Sequence, residues 1–155
     1  MIDGIEIIPL RRFDDERGWF MELCRESRLA KRMRQTNVSF SRRGVIKGLH
    51  YHERGQDDLF ACLQGRVRIV ALERETGRTF SLDIGDDNLV AVYMPGRLAH
   101  GYEALTDALF CYHVTEEYDP AQPDEHEIAW NDPRVKHLWS TQSPILSQRD
   151  AAAAS

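Results

Sequence analysis

The chain has 155 residues, with 20 lysines and arginines against 25 aspartates and glutamates, giving a formal net charge of −5. That length suits one domain with a real core, and the acidic balance argues against a general nucleic-acid binder. No apolar run approaches the length of a membrane span, and Met1–Glu6 carries no signal-peptide pattern. Three cysteines, Cys24, Cys62 and Cys111, lack CxxC spacing and read as free thiols of a reducing cytoplasm.

Residues 26–35 are the one stretch that reads as a helix, short and charged. In Gln35-Thr36-Asn37 the alternation of a strand projects Gln35 and Asn37 to one face. Gly44-Val45-Ile46-Lys47-Gly48-Leu49-His50-Tyr51-His52 is an apolar strand that sets His50 and His52 on a common face. Imidazole titrates near neutral pH and is also the commonest metal ligand, so His50 reads either as a proton-transfer base or as half of a metal site.

Arg66–Leu72 is a strand with Val67, Ile69 and Ala71 on one side. Glu75-Thr76-Gly77-Arg78 turns the chain, and Thr79–Ile84 alternates again. Gly85–Asn88 is a further turn. Leu89–Met94 is apolar throughout, as in a strand covered on both faces. Pro95-Gly96-Arg97-Leu98-Ala99-His100-Gly101 places a histidine at a strand end, and Ala108–Val114 is a strand with Tyr112 at its middle. Strands at this spacing with little helix predict a sandwich or barrel, with Val67, Ile69, Phe80, Leu82, Val90 and Val92 facing inward or lining an interface.

From Glu117 the texture changes to prolyl turns, with Trp130 and Trp139 placed to pin an irregular tail against the body. No linker or repeat divides the chain, so residues 1–150 read as one domain and 151–155 as a tail without evident role.

A collinear set of motifs carries a resemblance. Asp15-Glu16-Arg17-Gly18-Trp19-Phe20-Met21-Glu22, Gln35-Thr36-Asn37, Lys47-Gly48-Leu49-His50-Tyr51, Pro95–Gly101, Trp130-Asn131-Asp132-Pro133 and Leu146-Ser147-Gln148-Arg149-Asp150 occur in the order of the dTDP-4-dehydrorhamnose 3,5-epimerase family. The resemblance runs from about Ile5 to Asp150, in a chain short for that family. It implies an all-β cupin jelly roll with a short N-terminal helix and an irregular C-terminal tail. It also implies a homodimer acting, without a metal or other cofactor, on a nucleotide-linked 4-keto-6-deoxy sugar, with a dTDP linkage expected, in deoxysugar biosynthesis in the cytoplasm.

The resemblance assigns roles. The C4 ketone of such a sugar acidifies the protons on C3 and C5, and epimerisation removes one from one face and returns one to the other. His50 is then the base, Asp150 the carboxylate that orients it, and Tyr112 the acid on the opposite side. Arg17, Phe20, Glu22, Gln35 and Asn37 match positions that hold the nucleotide and its phosphates, and Lys47, Asp58 and His100 join them around the sugar.

Two departures mark this chain. Lys47 stands where the family has arginine. Asp58, in Gln56-Asp57-Asp58-Leu59, stands where the family has the lysine that faces the enolate oxygen. A carboxylate there repels the developing charge unless it is protonated or paired, so an atypical member, slow or limited to one carbon, is expected. The same residues support two rival readings. One is a metal-dependent cupin enzyme using His50, His52, Asp58 and His100. The other is a non-catalytic cupin that binds a nucleotide sugar through Arg17, Gln35 and Asn37.

Overall fold

A computed structural model describes residues 1–154. The described residues form two five-stranded antiparallel sheets packed face to face, with a separate two-stranded hairpin. The first sheet runs β1 (Glu6–Pro9), β9 (Val90–Pro95), β6 (Asp57–Gln64), β11 (Ala108–Val114) and β4 (Gln35–Ser41). The second runs β12 (His126–Glu127), β5 (Ile46–Tyr51), β10 (Ala99–Ala104), β7 (Arg66–Leu72) and β8 (Thr79–Gly85). The hairpin pairs β2 (Arg12–Asp15) with β3 (Gly18–Met21).

The central core lies between the sheets. Val67, Ile69, Ala71, Val92, Met94 and Phe110 are buried there, and Phe80, Leu82 and Val90 pack against them. All six positions expected to face inward therefore do so. Ala91 and Tyr93 of β9 point to the other side of the first sheet and pack under Leu23, Leu29 and Met33, so β9 is covered on both faces as its apolar run requires.

The outer face of the second sheet is covered by the tail. Ile46, Leu49, Val70 and Leu72 pack against Val135 and Trp139, and the Trp139 indole N–H donates to the Trp130 carbonyl at 2.8 Å. Buried Glu103 accepts hydrogen bonds from the Ser140 and Thr141 backbone N–H groups and from the Ser140 hydroxyl. These contacts hold the irregular segment firmly enough to position side chains.

The expected N-terminal helix is a single 3-10 turn, Glu26–Arg28, and Gln35 already belongs to β4. Its first position, Arg25, makes no side-chain cap, and Arg28, Lys31, Arg32 and Arg34 crowd like charges into the segment. Leu29 and Met33 instead dock onto the sheet. An α-helix forms at the other end, α1 (Gln148–Ala153), where the Ser147 hydroxyl caps the Asp150 N–H at 3.1 Å and the alanines favour the helix. Ala151–Ala153, set apart as tail, are thus the second half of that helix.

Candidate active site

The site lies between the two sheets, in a cavity of about 180 Å³ lined by His50, His52, Asp58, His100 and Tyr112 among others. Strands β5 and β10 bring the histidines together. His100 pairs directly with His50 across the ladder, and a register shift follows between His100 and Tyr102. The strands approach closely at Gly48 and Gly101. A Cβ on Gly48 would sit 2.8 Å from Gly101 Cα, and one on Gly101 would sit 2.3 Å from the Lys47 carbonyl oxygen. Glycine at both positions is what lets His50 and His100 share a wall.

His50 Nε2 donates to Asp150 Oδ1 at 2.9 Å, although 100 residues separate them. Helix α1 carries Asp150 inward, where it is buried. Burial raises the Asp150 carboxyl pKa, but the bonds from His50, the Ser147 hydroxyl and the Gly48 N–H outweigh it and hold the group below its ordinary value. Asp150 is therefore a carboxylate at neutral pH. Its hold on Nε2 fixes the tautomer and leaves Nδ1 as the ring nitrogen able to take a proton; among the described residues Nδ1 has no hydrogen-bond partner.

Tyr112 comes from β11, in the opposite sheet. Its cross-strand partners are Phe60 and Asn37, so all three share the inner face. Burial, with Tyr102, Asp58 and Glu125 nearby, raises its pKa above the usual phenol value, so the hydroxyl keeps its proton. His50 and Tyr112 thus stand on facing walls of one cavity.

Asp58 is inward-facing and buried. Its Oδ2 lies 3.1 Å from His100 Nε2 and 3.9 Å from His52 Nε2, and its Oδ1 accepts from Gln56 Nε2 at 3.0 Å. Burial would raise its pKa, but the two histidines overcome that and hold it well below the carboxylate range. The pairing that the sequence left open is therefore present. His52 shows the reciprocal effect: burial lowers its pKa, while Asp58 and the Asp124 carbonyl raise it by more. The neighbouring Asp57 points the other way, bonding Tyr93 Oη at 2.7 Å and the Gly96 N–H at 2.9 Å, a structural role at the strand edge.

The four-ligand metal set does not assemble. His50 is engaged with Asp150, and the cluster with all donors within 4.8 Å comprises His52, Asp58 and His100. Lys47 lines the cavity and donates to the Ser39 hydroxyl. Gln35 and Asn37 face inward on β4, as their alternation predicts, and bond each other at 3.0 Å. Arg17, Phe20 and Glu22 do not reach the cavity of their own chain. Arg17 pairs with Asp15, Glu22 with Arg25, and Phe20 is exposed on the hairpin.

Three contributors went unassigned in sequence. Gln56 bonds Asp58, Asp124 holds His52 Nδ1 through its carbonyl at 2.6 Å, and Glu125 lines the cavity while pairing with Arg149. Gln56 opens the Gln56-Asp57-Asp58-Leu59 segment singled out in sequence, whereas Asp124 and Glu125 lie beside the proline turns of the tail, which no spacing rule links to the histidine strand.

A carboxylate-held imidazole facing a protonated phenol across a small cavity is an arrangement chemically suited to proton transfer. Over residues 1–155 the chain matches the family described as dTDP-4-dehydrorhamnose 3,5-epimerase, and it belongs to that family. It is 37% identical over 150 residues to the spore coat polysaccharide biosynthesis protein SpsL of Bacillus subtilis (strain 168), spanning 92% of this chain and 99% of SpsL. A dTDP-6-deoxy-D-glucose-3,5-epimerase, RmlC from Legionella pneumophila, in complex with dTDP-4-keto-L-rhamnose, superposes with a TM-score of 0.87. It is 32% identical, over 98% of this chain and 87% of that one. ChmJ, a 3'-monoepimerase from Streptomyces bikiniensis in complex with dTDP-quinovose, gives a TM-score of 0.86 at 29% identity, over 98% of this chain and 83% of ChmJ. The chain is an isomerase of the sugar-epimerase class, and its β-sandwich is the fold of those structures.

Proposed function

We propose that this protein epimerises a dTDP-linked 4-keto-6-deoxy sugar, with His50 as base, Asp150 as its orienting carboxylate and Tyr112 as the acid on the facing wall. The observation that carries the reading is the 2.9 Å bond from His50 to Asp150 opposite Tyr112. His50 Nδ1 takes the proton from the carbon beside the ketone, the electron pair moves onto the C4 oxygen as an enolate, and the Tyr112 hydroxyl returns a proton from the other side. Relatives named as 3,5-epimerases and as 3'-monoepimerases lie at similar distance, so inversion at C3 is the outcome common to both. A purely binding cupin gives no reason for the His50–Asp150 pair.

The working unit is a homodimer. The hairpin leaves Phe13, Trp19 and Phe20 exposed, and the free edge strand β4 leaves Val38 and Phe40 exposed; a second copy would cover these apolar residues. Arg17, Phe20 and Glu22 of one protomer would then reach the nucleotide end of its partner's site. Three free cysteines, two of them buried, support a reducing cytoplasm.

The test is deuterium incorporation from D2O into dTDP-4-keto-6-deoxyglucose, followed by NMR. Wild-type protein should exchange the C3 proton, with or without C5, and His50→Asn should not. Equal exchange by the two would sink the proposal.

A further inference from the structure

His52, Asp58 and His100 bring three donor atoms within 4.8 Å of one another. His52 Nδ1 donates to the Asp124 carbonyl at 2.6 Å and His100 Nδ1 to the Leu98 carbonyl at 2.9 Å. Each bond turns the remaining nitrogen, Nε2, toward Asp58. Backbone carbonyls that fix the outer ring nitrogen are the usual support of metal-ligating histidines. Gln56 Nε2 lies 3.1 Å from His52 Nε2, a donor aimed at a ring nitrogen whose outer partner already holds its hydrogen. With the Nδ1 hydrogen committed to Asp124, His52 Nε2 offers its lone pair whenever the ring is neutral.

The distances are close to those a metal imposes. Ligand bonds of about 2.1 Å at tetrahedral to octahedral angles separate neighbouring donor atoms by about 3.0–3.4 Å. His100 Nε2 to Asp58 Oδ2 is 3.1 Å, His52 Nε2 to Asp58 Oδ2 is 3.9 Å, and all three donor atoms lie within 4.8 Å of one another, so closing the set draws His52 inward. All three residues are buried and line the same cavity as His50 and Tyr112, which leaves the remaining coordination positions facing a substrate.

We propose that His52 Nε2, His100 Nε2 and Asp58 Oδ2 bind one divalent transition-metal ion of the zinc, iron, cobalt or manganese class, whose open face holds the C4 oxygen of the keto sugar. Two neutral imidazoles and one carboxylate suit such ions. A divalent ion with one carboxylate leaves a net charge of +1, which turns a site that would repel an enolate into one that attracts it. The binding site stands on its own geometry; the role at C4 rests on the epimerase reading.

The experiment uses full-length protein stripped with EDTA and titrated with Co(II), Zn(II) and Mn(II). Metal per chain, the visible Co(II) spectrum and the thermal midpoint are read first, followed by deuterium exchange into the keto sugar with and without metal. The proposal expects one metal per chain, a Co(II) spectrum of a low-coordinate nitrogen–oxygen site, and a midpoint that rises with metal. It expects exchange that is at least ten-fold faster when loaded. Asp58→Asn and His100→Gln should each weaken binding roughly 100-fold or more, beyond the 10- to 100-fold typical of losing a supporting residue. His50→Asn should keep the metal and lose exchange. Failure of stripped wild-type protein to take up stoichiometric metal at micromolar concentration would overturn the site, and brisk exchange by that same metal-free protein would leave the epimerase reading intact. Stoichiometric metal with equal exchange in both forms would overturn the role at C4, whereas metal with no exchange in either form would overturn that role together with the epimerase reading.

Discussion

Replacing Asp150 by asparagine probes the proton-transfer machinery without removing a side chain. The amide keeps the size of the carboxylate, and the Ser147 cap bonds the backbone N–H of residue 150, so α1 should stay folded. What is lost is the negative charge 2.9 Å from His50 Nε2. A unit charge pair at about 4 Å between charge centres in an effective dielectric of about 20 is worth about 4 kcal/mol. The His50 side chain is 27% exposed, so water screens part of that; about 2–3 kcal/mol remains to stabilise the imidazolium as it forms, roughly a 30- to 150-fold loss in turnover at 1.36 kcal/mol per ten-fold. The assay is the steady-state rate of sugar epimerisation, with circular dichroism and thermal midpoint as controls for folding. The loss should fall on kcat rather than KM, because the charge matters after the proton moves. A folded Asp150→Asn protein with wild-type kcat, or one altered in KM alone, would refute the assignment of Asp150 as the carboxylate behind the base.

Three further outcomes follow from the same geometry. Tyr112→Phe should retain deuterium exchange from the His50 face while losing inversion, so exchange should outrun epimerisation by NMR; parallel loss of both would remove Tyr112 as the opposing acid. Because burial and nearby negative groups raise the Tyr112 pKa, epimerisation should show no alkaline loss from this residue below pH 10, and a phenol-dependent fall between pH 8 and 9 that vanishes in Tyr112→Phe would contradict its protonated state. Glu73, bonded by Arg78, Thr76 and Arg97, has its carboxyl depressed from 4.5 to about 2; its stabilisation is present above about pH 4.5 and lost as pH falls toward 2, so the acid limb of thermal stability should be shallower in Glu73→Gln than in wild type.

Much of the architecture was legible in the chain. Alternation identified Arg66–Leu72 and Ala108–Val114 to the residue, and it named the inward positions of β7, β8 and β9, because the side-chain period of a strand is a local property of the backbone. The motif order pointed to the family, and with it to His50, Tyr112 and Asp150. The helix was misplaced because charge content and length near residue 30 resemble a helix, while the docking of Leu29 and Met33 onto a distant sheet decides the segment.

Local pattern also establishes that Gln35 and Asn37 share a face and that His50 and His52 do. It does not establish what each faces. Whether Asp58 is paired was open in the sequence; the fold gives it two histidines, one from β10 and one at the end of β5. Apart from Asp150, which the resemblance already paired with His50, the proline-rich tail read as packing; the fold makes its Asp124 carbonyl the group that orients His52. The physical reason is common to both cases. A residue's face, turn and propensity depend on neighbours within a few positions, whereas its protonation and its tautomer depend on groups brought within about 3 Å from anywhere in the chain.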